Sequence, residues 1–266
     1  MRLIPIVIII IFVFDLVDSS AGQGLGTVSA PLLIMMGYDP ALEVIPSLVI
    51  VAALSGLVSG YFHHEFENVN YSLKRPLNDE TKTVAFTAGV GSIMIICSTL
   101  LVHYFIRPPA IFLNTYIAIL VIVMGFLGLV RVKEGSKKYT FRPKFIIGFA
   151  AIAGFNKGVG GGGYGPVLVM GNILSGIYEK TAAALTQTTE GFVSSVGAII
   201  FFALAVGVGD IDLFLLPSMF TGSFFASILA PYILRVLPNK IWKILIPSYA
   251  FAIGIYFLIR LFLQIN

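Results

Sequence analysis

Charged side chains are scarce in this sequence. They make up 11% of its 266 residues, while 58% of the residues are hydrophobic and the mean hydropathy is +0.96. A soluble globular domain carries about 25% charged residues, so the shortage excludes a surface that faces water throughout. Several apolar runs reach the roughly 20 residues that span a bilayer, and alternating segments of the barrel type are absent. The sequence therefore predicts an all-α integral membrane protein, because helices satisfy their own backbone hydrogen bonds in lipid.

Cysteines and nucleotide-binding signatures are lacking as well. Cys97 is the only cysteine, which excludes an intramolecular disulfide and a cysteine-rich metal site. The phosphate-binding pattern G-x-x-x-x-G-K-[ST] is absent, so an ATP-driven pump core is not supported. No basic patch with interleaved aromatic residues suggests a nucleic-acid partner. We expect no cofactor and no metal ion, and the expected partners are a small substrate and the lipid bilayer, with the oligomeric state left open.

What the sequence has instead is a series of apolar segments, the short ones in two adjacent pairs. A glycine-rich stretch separates the members of each pair: DSSAGQGLG at 18–26 and GFNKGVGGGGYGP at 154–166. Glycine weakens a helix by roughly 1 kcal/mol relative to alanine, so both stretches are predicted helix breaks. The predicted segments are 3–17, 27–37, 41–62, 83–105, 110–131, 144–156, 164–177, 181–206, 212–234 and 240–263.

The two halves of the chain match when one is shifted by 139 residues. Each half has a broken pair followed by three long segments, which predicts an internal duplication. The glycines that superpose are Gly22 on Gly161, Gly24 on Gly163, Gly26 on Gly165 and Gly37 on Gly176, and Ser55 falls on Ser194. The predicted units are a first repeat over 1–131 with its broken pair at 3–37, a cytoplasmic linker over 132–143, and a second repeat over 144–266 with its broken pair at 144–177.

Lysine and arginine predict how the chain threads the membrane. If each broken pair is a re-entrant hairpin, thirteen of the 17 positive residues lie in loops on one side, and Arg2, Arg107 and Arg260 lie on the other. If each broken pair instead crossed the membrane once, eleven positive residues would lie on one side and five on the other. The positive-inside rule favours the hairpins, so the halves become inverted repeats with both termini outside the cell. The loops that share the cytoplasmic side are 63–82, 131–144, 178–180 and 235–243.

The glycine breaks predict an anion site made largely of backbone. Half-helices that open at Gly26 and Gly165 would aim backbone N–H groups at one point near the membrane midplane. Helix N-termini carry roughly half a positive charge and favour anions, and glycine lets a ligand approach the backbone closely. Close helix packing by small residues is the alternative, although the four consecutive glycines at 160–163 exceed what packing usually needs.

Five polar residues in a row, 186–190, lie on a predicted span. Ionisable residues inside a membrane are costly and indicate function by default. The hydroxyl and amide groups of this run can donate to an anion, and Ser47 occupies the position of Thr186 in the first half. Glu190 either carries a coupling proton or pairs with Lys157.

Two further carboxylates, Asp15 and Asp18, stand before the first break. Each of them, like Glu190, either carries a coupling proton or forms an ion pair. Asp18 falls on Lys157 under the shift, so we expect the two to face each other across the pseudo-axis. Asp15, Asp18 and Glu190 are the candidates for a coupling proton. The predicted substrate-binding residues are Gly22, Gly24, Gly26, Thr27, Ser47, Asn156, Lys157, Gly161, Gly162, Gly163, Gly165, Thr186, Gln187, Thr188 and Thr189.

The segment GLVSGYFHH, residues 56–64, puts Ser59 near His63 and His64. The combination hints at an intramembrane serine protease, but a nucleophile without a supporting constellation is weak evidence. The histidines stand at a predicted helix end beside acidic residues. We therefore expect a solvated pair at the membrane interface.

At these residues the chain resembles the sulfite exporter TauE/SafE family of prokaryotic membrane transporters. The resemblance covers nearly the whole chain and implies transport of sulfite, organosulfonates, thiosulfate or related small sulfur anions, usually outward. It implies that both glycine breaks contact the substrate, with Ser47 and the run 186–189 beside them. Gln23 and Leu25 interrupt the family's usual triple glycine, which leaves the substrate open. The motifs are GQGLGTVSAPLLIMMG (22–37), HHEFENVNY (63–71), GFNKGVGGGGYGPVLVMGNILSG (154–176) and ALTQTTEG (184–191).

The predicted function is a secondary transporter that works by alternating access around the two breaks. A small-anion channel is the alternative, an intramembrane enzyme is a candidate from another class, and a purely structural membrane protein is the simplest one. The sequence leaves the anion, the coupling ion and the direction of transport open.

The predicted threading is testable by cysteine labelling. In a Cys97→Ser background, Lys138→Cys should react with an impermeant thiol reagent from the cytoplasmic side alone, because the loop at 131–144 carries much of the positive charge. Labelling of position 138 in intact cells from outside would contradict the hairpin arrangement.

Overall fold

The computed structural model describes residues 3–23, 25–39, 43–101, 110–133, 143–160, 163–205 and 212–263. Within these ranges the chain folds into ten α-helices and no strand, which confirms the all-α prediction. The helices are α1 Pro5–Ala21, α2 Leu25–Met35, α3 Ile45–Glu65, α4 Asp79–Leu100, α5 Ala110–Lys133, α6 Pro143–Gly160, α7 Tyr164–Leu174, α8 Glu179–Ala205, α9 Leu216–Val236 and α10 Asn239–Leu263.

The helices follow the predicted apolar segments closely, but α1 and α6 run further than hydrophobicity alone predicted. α1 continues to Ala21 instead of ending near residue 17, and α6 continues to Gly160 instead of 156. The added turns carry polar residues that are buried against other helices, such as Ser19 and Lys157. Their partners are tertiary, so hydropathy along the chain does not reveal that the helix continues.

The first break lies between α1 and α2. α1 ends because Gly22 adopts a left-handed conformation, with φ 67° and ψ 38°, and its N–H bonds to the carbonyl of Asp18 at 2.6 Å. A Cβ on Gly22 would lie 3.3 Å from the backbone of Ala183 and from Cβ of Thr186. Glycine at this position therefore serves both the turn and the close packing of the break on α8.

The second break lies between α6 and α7. Gly163 precedes α7 with φ 77° and ψ 3°, and Tyr164 is the first helical residue. α2 and α7 thus begin at Leu25 and Tyr164, each one residue before the predicted openings at Gly26 and Gly165. α7 is buried from Tyr164 to Ile173, which is the setting that a broken helix inside a membrane requires.

The short helices α2 and α7 end with the same backbone pattern. Gly37 and Gly176 both have positive φ, 94° and 99°. At the end of α2 the N–H of Tyr38 bonds to the carbonyl of Leu33. At the end of α7 the N–H of Ile177 bonds to the carbonyl of Asn172, and both residues lie 139 positions after their counterparts. These are the contacts of a Schellman end. The duplication predicted from glycines is thus accompanied by matching hydrogen bonds.

Helix packing has the same two-fold pattern. α1 packs on α9 and α6 packs on α4, while α3 packs on α8 and α5 packs on α10. The counterparts in the two halves are α1 and α6, α3 and α8, α4 and α9, and α5 and α10. If every helix is replaced by its counterpart, the same four pairs result. The inverted orientation of the halves, the re-entrant hairpins and the domain boundaries stay predictions.

Four of the described helices, α3, α4, α9 and α10, are long and apolar enough to cross a membrane. Large apolar side chains on several helices point outward, among them Phe86, Ile199 and Phe225. Exposed apolar surface of this extent indicates contact with lipid. The chain is therefore an α-helical membrane protein. In this bundle α8 has a central position, because it contacts α1, α3, α4 and α7.

The left-handed Gly163 generates a stability prediction. Gly163→Ala should destabilise the protein by about 1–2 kcal/mol, because an L-residue is strained in that conformation. Gly148→Ala on α6 is the matched control, since a Cβ there meets nothing within 4 Å and alanine favours a helix. Thermal unfolding in detergent should give a lower melting temperature for the first variant alone. Equal melting temperatures for the two variants would contradict the role of the turn.

Candidate functional site

The polar run on α8 lies in the interior of the protein. Thr186, Gln187, Thr188, Thr189 and Glu190 are each at most 8% exposed. Five consecutive residues of a helix point in all directions around its axis, so every side of α8 here is covered by other parts of the protein. The run therefore offers hydroxyl, amide and carboxylate groups to several neighbours at once.

A buried ion pair joins α6 to α8. Lys157 Nζ lies 2.5 Å from Glu190 Oε1, and both side chains are 3% exposed. The same ammonium lies 5.3 Å from the ring centroid of Tyr164, at the start of α7, within the range of a cation–π contact. Of the two alternatives for Glu190, the structure contains the pair with Lys157. The pair holds the second break against the polar run of α8.

Asp18 occupies the N-terminus of α2. Its Oδ2 accepts a hydrogen bond from the N–H of Leu25 at 2.7 Å and another from Nε2 of Gln187 at 3.3 Å. A carboxylate at a helix N-terminus is stabilised by the unpaired N–H groups and the helix dipole. The first N–H of α2 thus points at a carboxylate of this chain, and the two predicted half-helix openings are chemically different.

Asp15 and Ser19 extend this network towards α9. Ser19 Oγ donates to Asp15 Oδ1 at 3.1 Å, and Ser223 Oγ donates to Asp15 Oδ2. Gln187 Nε2 donates to Ser19 Oγ at 2.9 Å. Gln187 thereby links the Asp15 end of the network to Asp18, with Asp15 itself 0% exposed.

The threonines of the run bond to residues that the sequence did not single out. Thr186 Oγ1 accepts from Asn172 Nδ2 at 3.1 Å, and the hydroxyls of Thr189 and Thr87 lie 3.0 Å apart. These contacts join α8 to α7 and α4. No local pattern marks Asn172 or Thr87, because their partners are distant in sequence.

Tyr71 covers the polar run from the connection between α3 and α4. Its hydroxyl lies 2.6 Å from Thr188 Oγ1. Thr188 gives its own proton to the carbonyl of Ala184, so Tyr71 is the donor. Burial raises the pKa of the Tyr71 hydroxyl well above its usual value, and the group therefore keeps the proton that it donates.

The expectation of a solvated histidine pair is wrong for His63. This side chain is 0% exposed, and its Nε2 lies 2.9 Å from the carbonyl of Ser19. Asn68 Nδ2 lies 3.2 Å from His63 Nδ1, so Nδ1 accepts and Nε2 carries the proton. His63 is neutral in this arrangement and fixes the last turn of α1 next to the break.

Other predicted site residues have fewer partners. Ser47 and Asn156 are both 0% exposed, and their side-chain polar atoms make no hydrogen bond to the described part of the chain. Gly26 lines a cavity of about 20 Å³ that Lys157 also borders. Gly24, Gly161 and Gly162 lie outside the described residues, as does the side chain of Thr27.

The cavity beside the first break is small. Its other lining residues come from α2 and α3, and its volume of about 20 Å³ suits one water molecule. A sulfur oxyanion is several times larger than water. This cavity is therefore too small to hold such an anion. Among the described residues, no group of three or more His, Cys, Asp and Glu side chains is arranged to hold a metal ion.

The known proteins that this chain resembles are described as membrane transporters or exporters. Residues 7–257 match the family model described as "Sulfite exporter TauE/SafE". The chain is also 24% identical over 259 residues to "Probable membrane transporter protein YtnM" of Bacillus subtilis (strain 168), which covers 92% of this chain and 81% of that protein. Broken helices around a polar centre are the architecture of a membrane transporter. This chain belongs to the sulfite exporter TauE/SafE family.

The buried ion pair yields a prediction for stability. Lys157→Met alone should cost about 3–5 kcal/mol, because it leaves the carboxylate of Glu190 buried without a counter-charge. The double variant Lys157→Met with Glu190→Gln should recover most of that loss, since neither charge remains. Thermal unfolding of the single and double variants measures both effects. A Lys157→Met protein that melts at the wild-type temperature would show that the pair does not stabilise the fold.

Proposed function

We propose that this protein is a secondary transporter, an exporter of sulfite, an organosulfonate or a related small sulfur-containing anion across the cell membrane of a prokaryote. The observation that carries the proposal is the second break, where the N-terminus of α7 lies beside Lys157 and the polar run of α8. Membership in the TauE/SafE family supports the substrate class. The family's transport role also argues against an enzymatic activity.

The second break is the stronger of the two for binding an anion. The first N–H groups of any helix have no partner within that helix, and the dipole makes this end of α7 positive. Lys157 lies beside this end in its ion pair with Glu190, while Asn156 and the Tyr164 hydroxyl are buried donors without a hydrogen bond to the described residues. At the first break, by contrast, Asp18 already takes the N–H of Leu25.

In this proposal the substrate lies between the breaks and the polar run. The hydroxyl and amide groups of α8 would exchange their present partners, such as Asn172 and Tyr71, for the oxygens of the anion. Such exchange costs little because each lost hydrogen bond is replaced. The binding residues proposed at the first break are Gly22, Gly24, Gly26, Thr27 and Ser47, and those at the second are Asn156, Lys157, Gly161, Gly162, Gly163 and Gly165 together with Thr186, Gln187, Thr188 and Thr189.

Alternating access follows from two inverted halves that rock around the breaks. The matching ends of α2 and α7 and the self-consistent helix pairs support this arrangement. The small cavity at Gly26 fits a closed conformation of the cycle. We propose that the positive loops face the cytoplasm and that both termini lie outside.

Counterflow in proteoliposomes tests the proposed function. Vesicles preloaded with unlabelled sulfite, thiosulfate or methanesulfonate should accumulate the labelled anion transiently above its external concentration. This behaviour requires a carrier and is not produced by a channel. Gly165→Ala should lower the rate more than the lipid-facing Gly148→Ala, at equal amounts of protein, because a methyl group at the start of α7 restricts approach to its N–H groups. Flux without counterflow would favour the channel, and no flux of any of these anions would overturn the substrate class.

A further inference from the structure

Among the described residues, negative groups outnumber positive ones around the two breaks. In this part of the chain Asp15, Asp18 and Glu190 are buried together with one ammonium, that of Lys157. A buried carboxylate needs a counter-charge, strong hydrogen-bond donors or a proton. The three carboxylates differ in which of these they have.

Two of the carboxylates are satisfied as anions. Glu190 has Lys157 at 2.5 Å. Asp18 has the N–H of Leu25, at the positive end of α2, and the amide of Gln187. Each arrangement supplies the carboxylate with positive charge or with a donor that cannot act as an acceptor.

Asp15 differs from both. It is 0% exposed and forms no ion pair with a described residue, and its hydrogen bonds come from the hydroxyls of Ser19 and Ser223. A hydroxyl donates to a carboxylate and accepts from a carboxylic acid equally well. The two serines therefore suit both protonation states of Asp15, which is the chemistry of a site that gains and loses a proton.

Among the described residues, none places a positive charge in contact with Asp15, and the ammonium of Lys157 is paired with Glu190. α9 contributes Ser223, and the titratable groups facing this part of α1 from the other helices are His63 on α3, Glu190 on α8 and Tyr249 on α10. His63 gives its Nε2 proton to the carbonyl of Ser19 and is neutral. Buried acceptors are in surplus here, since Gln187 Oε1 and Glu190 Oε2 accept no hydrogen bond from the described residues.

We propose that Asp15 is the proton-binding residue of this transporter and that its proton travels together with the anion. The inference rests on the proposed function. An ionised Asp15 adds negative charge to a low-dielectric region that an anion must enter, and protonation removes that charge. Proton and anion then bind cooperatively, and the coupling is reciprocal by thermodynamic necessity.

A continuous set of hydrogen bonds connects Asp15 to the first break. Ser19 donates to Asp15 and accepts from Gln187, and Gln187 also donates to Asp18, which holds the N–H of Leu25. A change of charge at Asp15 is thus transmitted through Gln187 on the polar run of α8. The charge of Asp15 therefore affects both the carboxylate at the N-terminus of α2 and the helix proposed to hold the substrate.

Infrared difference spectroscopy tests the proton site without any transported anion. The full-length protein should show the carbonyl stretch of a protonated carboxylic acid that disappears as the pH rises. Asp15→Asn should lack this band, and Asp212→Asn, which removes an exposed carboxylate, should retain it. If Asp15→Asn does not fold, Ser223→Ala should shift the band, because it removes one of the two hydroxyl partners. A band that persists in Asp15→Asn, is unmoved by Ser223→Ala, or is absent at every pH overturns the proposal.

Proteoliposomes test the coupling. With thiosulfate or methanesulfonate, which stay charged throughout the pH range used, wild-type flux should acidify the compartment that receives the anion. An imposed pH gradient should drive accumulation. Asp15→Asn, which mimics the protonated acid, should keep counterflow and lose both proton movement and gradient-driven accumulation. Asp212→Asn should behave as wild type.

The outcomes separate this inference from the proposed function. Wild-type counterflow without proton movement, or flux that requires sodium, overturns the role of Asp15 and leaves the transporter intact. Proton movement that survives in Asp15→Asn overturns it as well. Failure of the wild type to carry any of the anions tested in the preceding subsection is a failure of the substrate class, and the infrared band still decides whether Asp15 binds a proton.

Discussion

Backbone hydrogen bonding in an apolar medium is the constraint on which this structure depends. A helix broken inside a membrane exposes N–H and C=O groups that lipid cannot satisfy. The chain meets this requirement with its own polar groups: Asp18 holds the first N–H of α2, and His63 holds the carbonyl of Ser19. Both breaks are then enclosed by α8, which presents hydroxyl and amide groups in all directions. The unusual polarity of α8 thus follows from the need to enclose two helix breaks.

Charge is distributed unequally between the two similar breaks. The same position in each half holds Asp18 in one and Lys157 in the other. The carboxylate binds the start of its own half-helix, whereas the ammonium binds Glu190 and lies over Tyr164. At the first break a carboxylate thus binds the helix end directly, whereas at the second break the ammonium forms an ion pair with α8. The residue at this one position therefore gives the two breaks different chemistry.

The close packing of the helices explains how such a polar centre is tolerated. At the crossing of α3 and α8, a Cβ on Gly56 would lie 2.7 Å from the backbone of Gly191. Contact this close lets the long helices shield the polar run from lipid, with small residues at the crossing as in other membrane bundles. Close packing by glycine is thus present at this crossing, whereas ligand binding by the glycines of the two breaks is part of the proposed function.

The sequence by itself determined the helical class, the segment order, the two breaks and the polar run on α8. These features depend on composition and on neighbours along the chain, such as the glycine breaks, after which α2 and α7 begin within one residue of the predicted openings. Only the tertiary structure decided the partners: that Glu190 pairs with Lys157, that His63 is buried, and that Asp15 bonds to Ser223, which is 208 residues away. Hydropathy and spacing are local quantities, whereas the partner of a buried polar group is set by helices that meet only after folding. For that reason most of the candidate residues could be predicted from the sequence, whereas their hydrogen-bond and ion-pair partners were determined only by the fold.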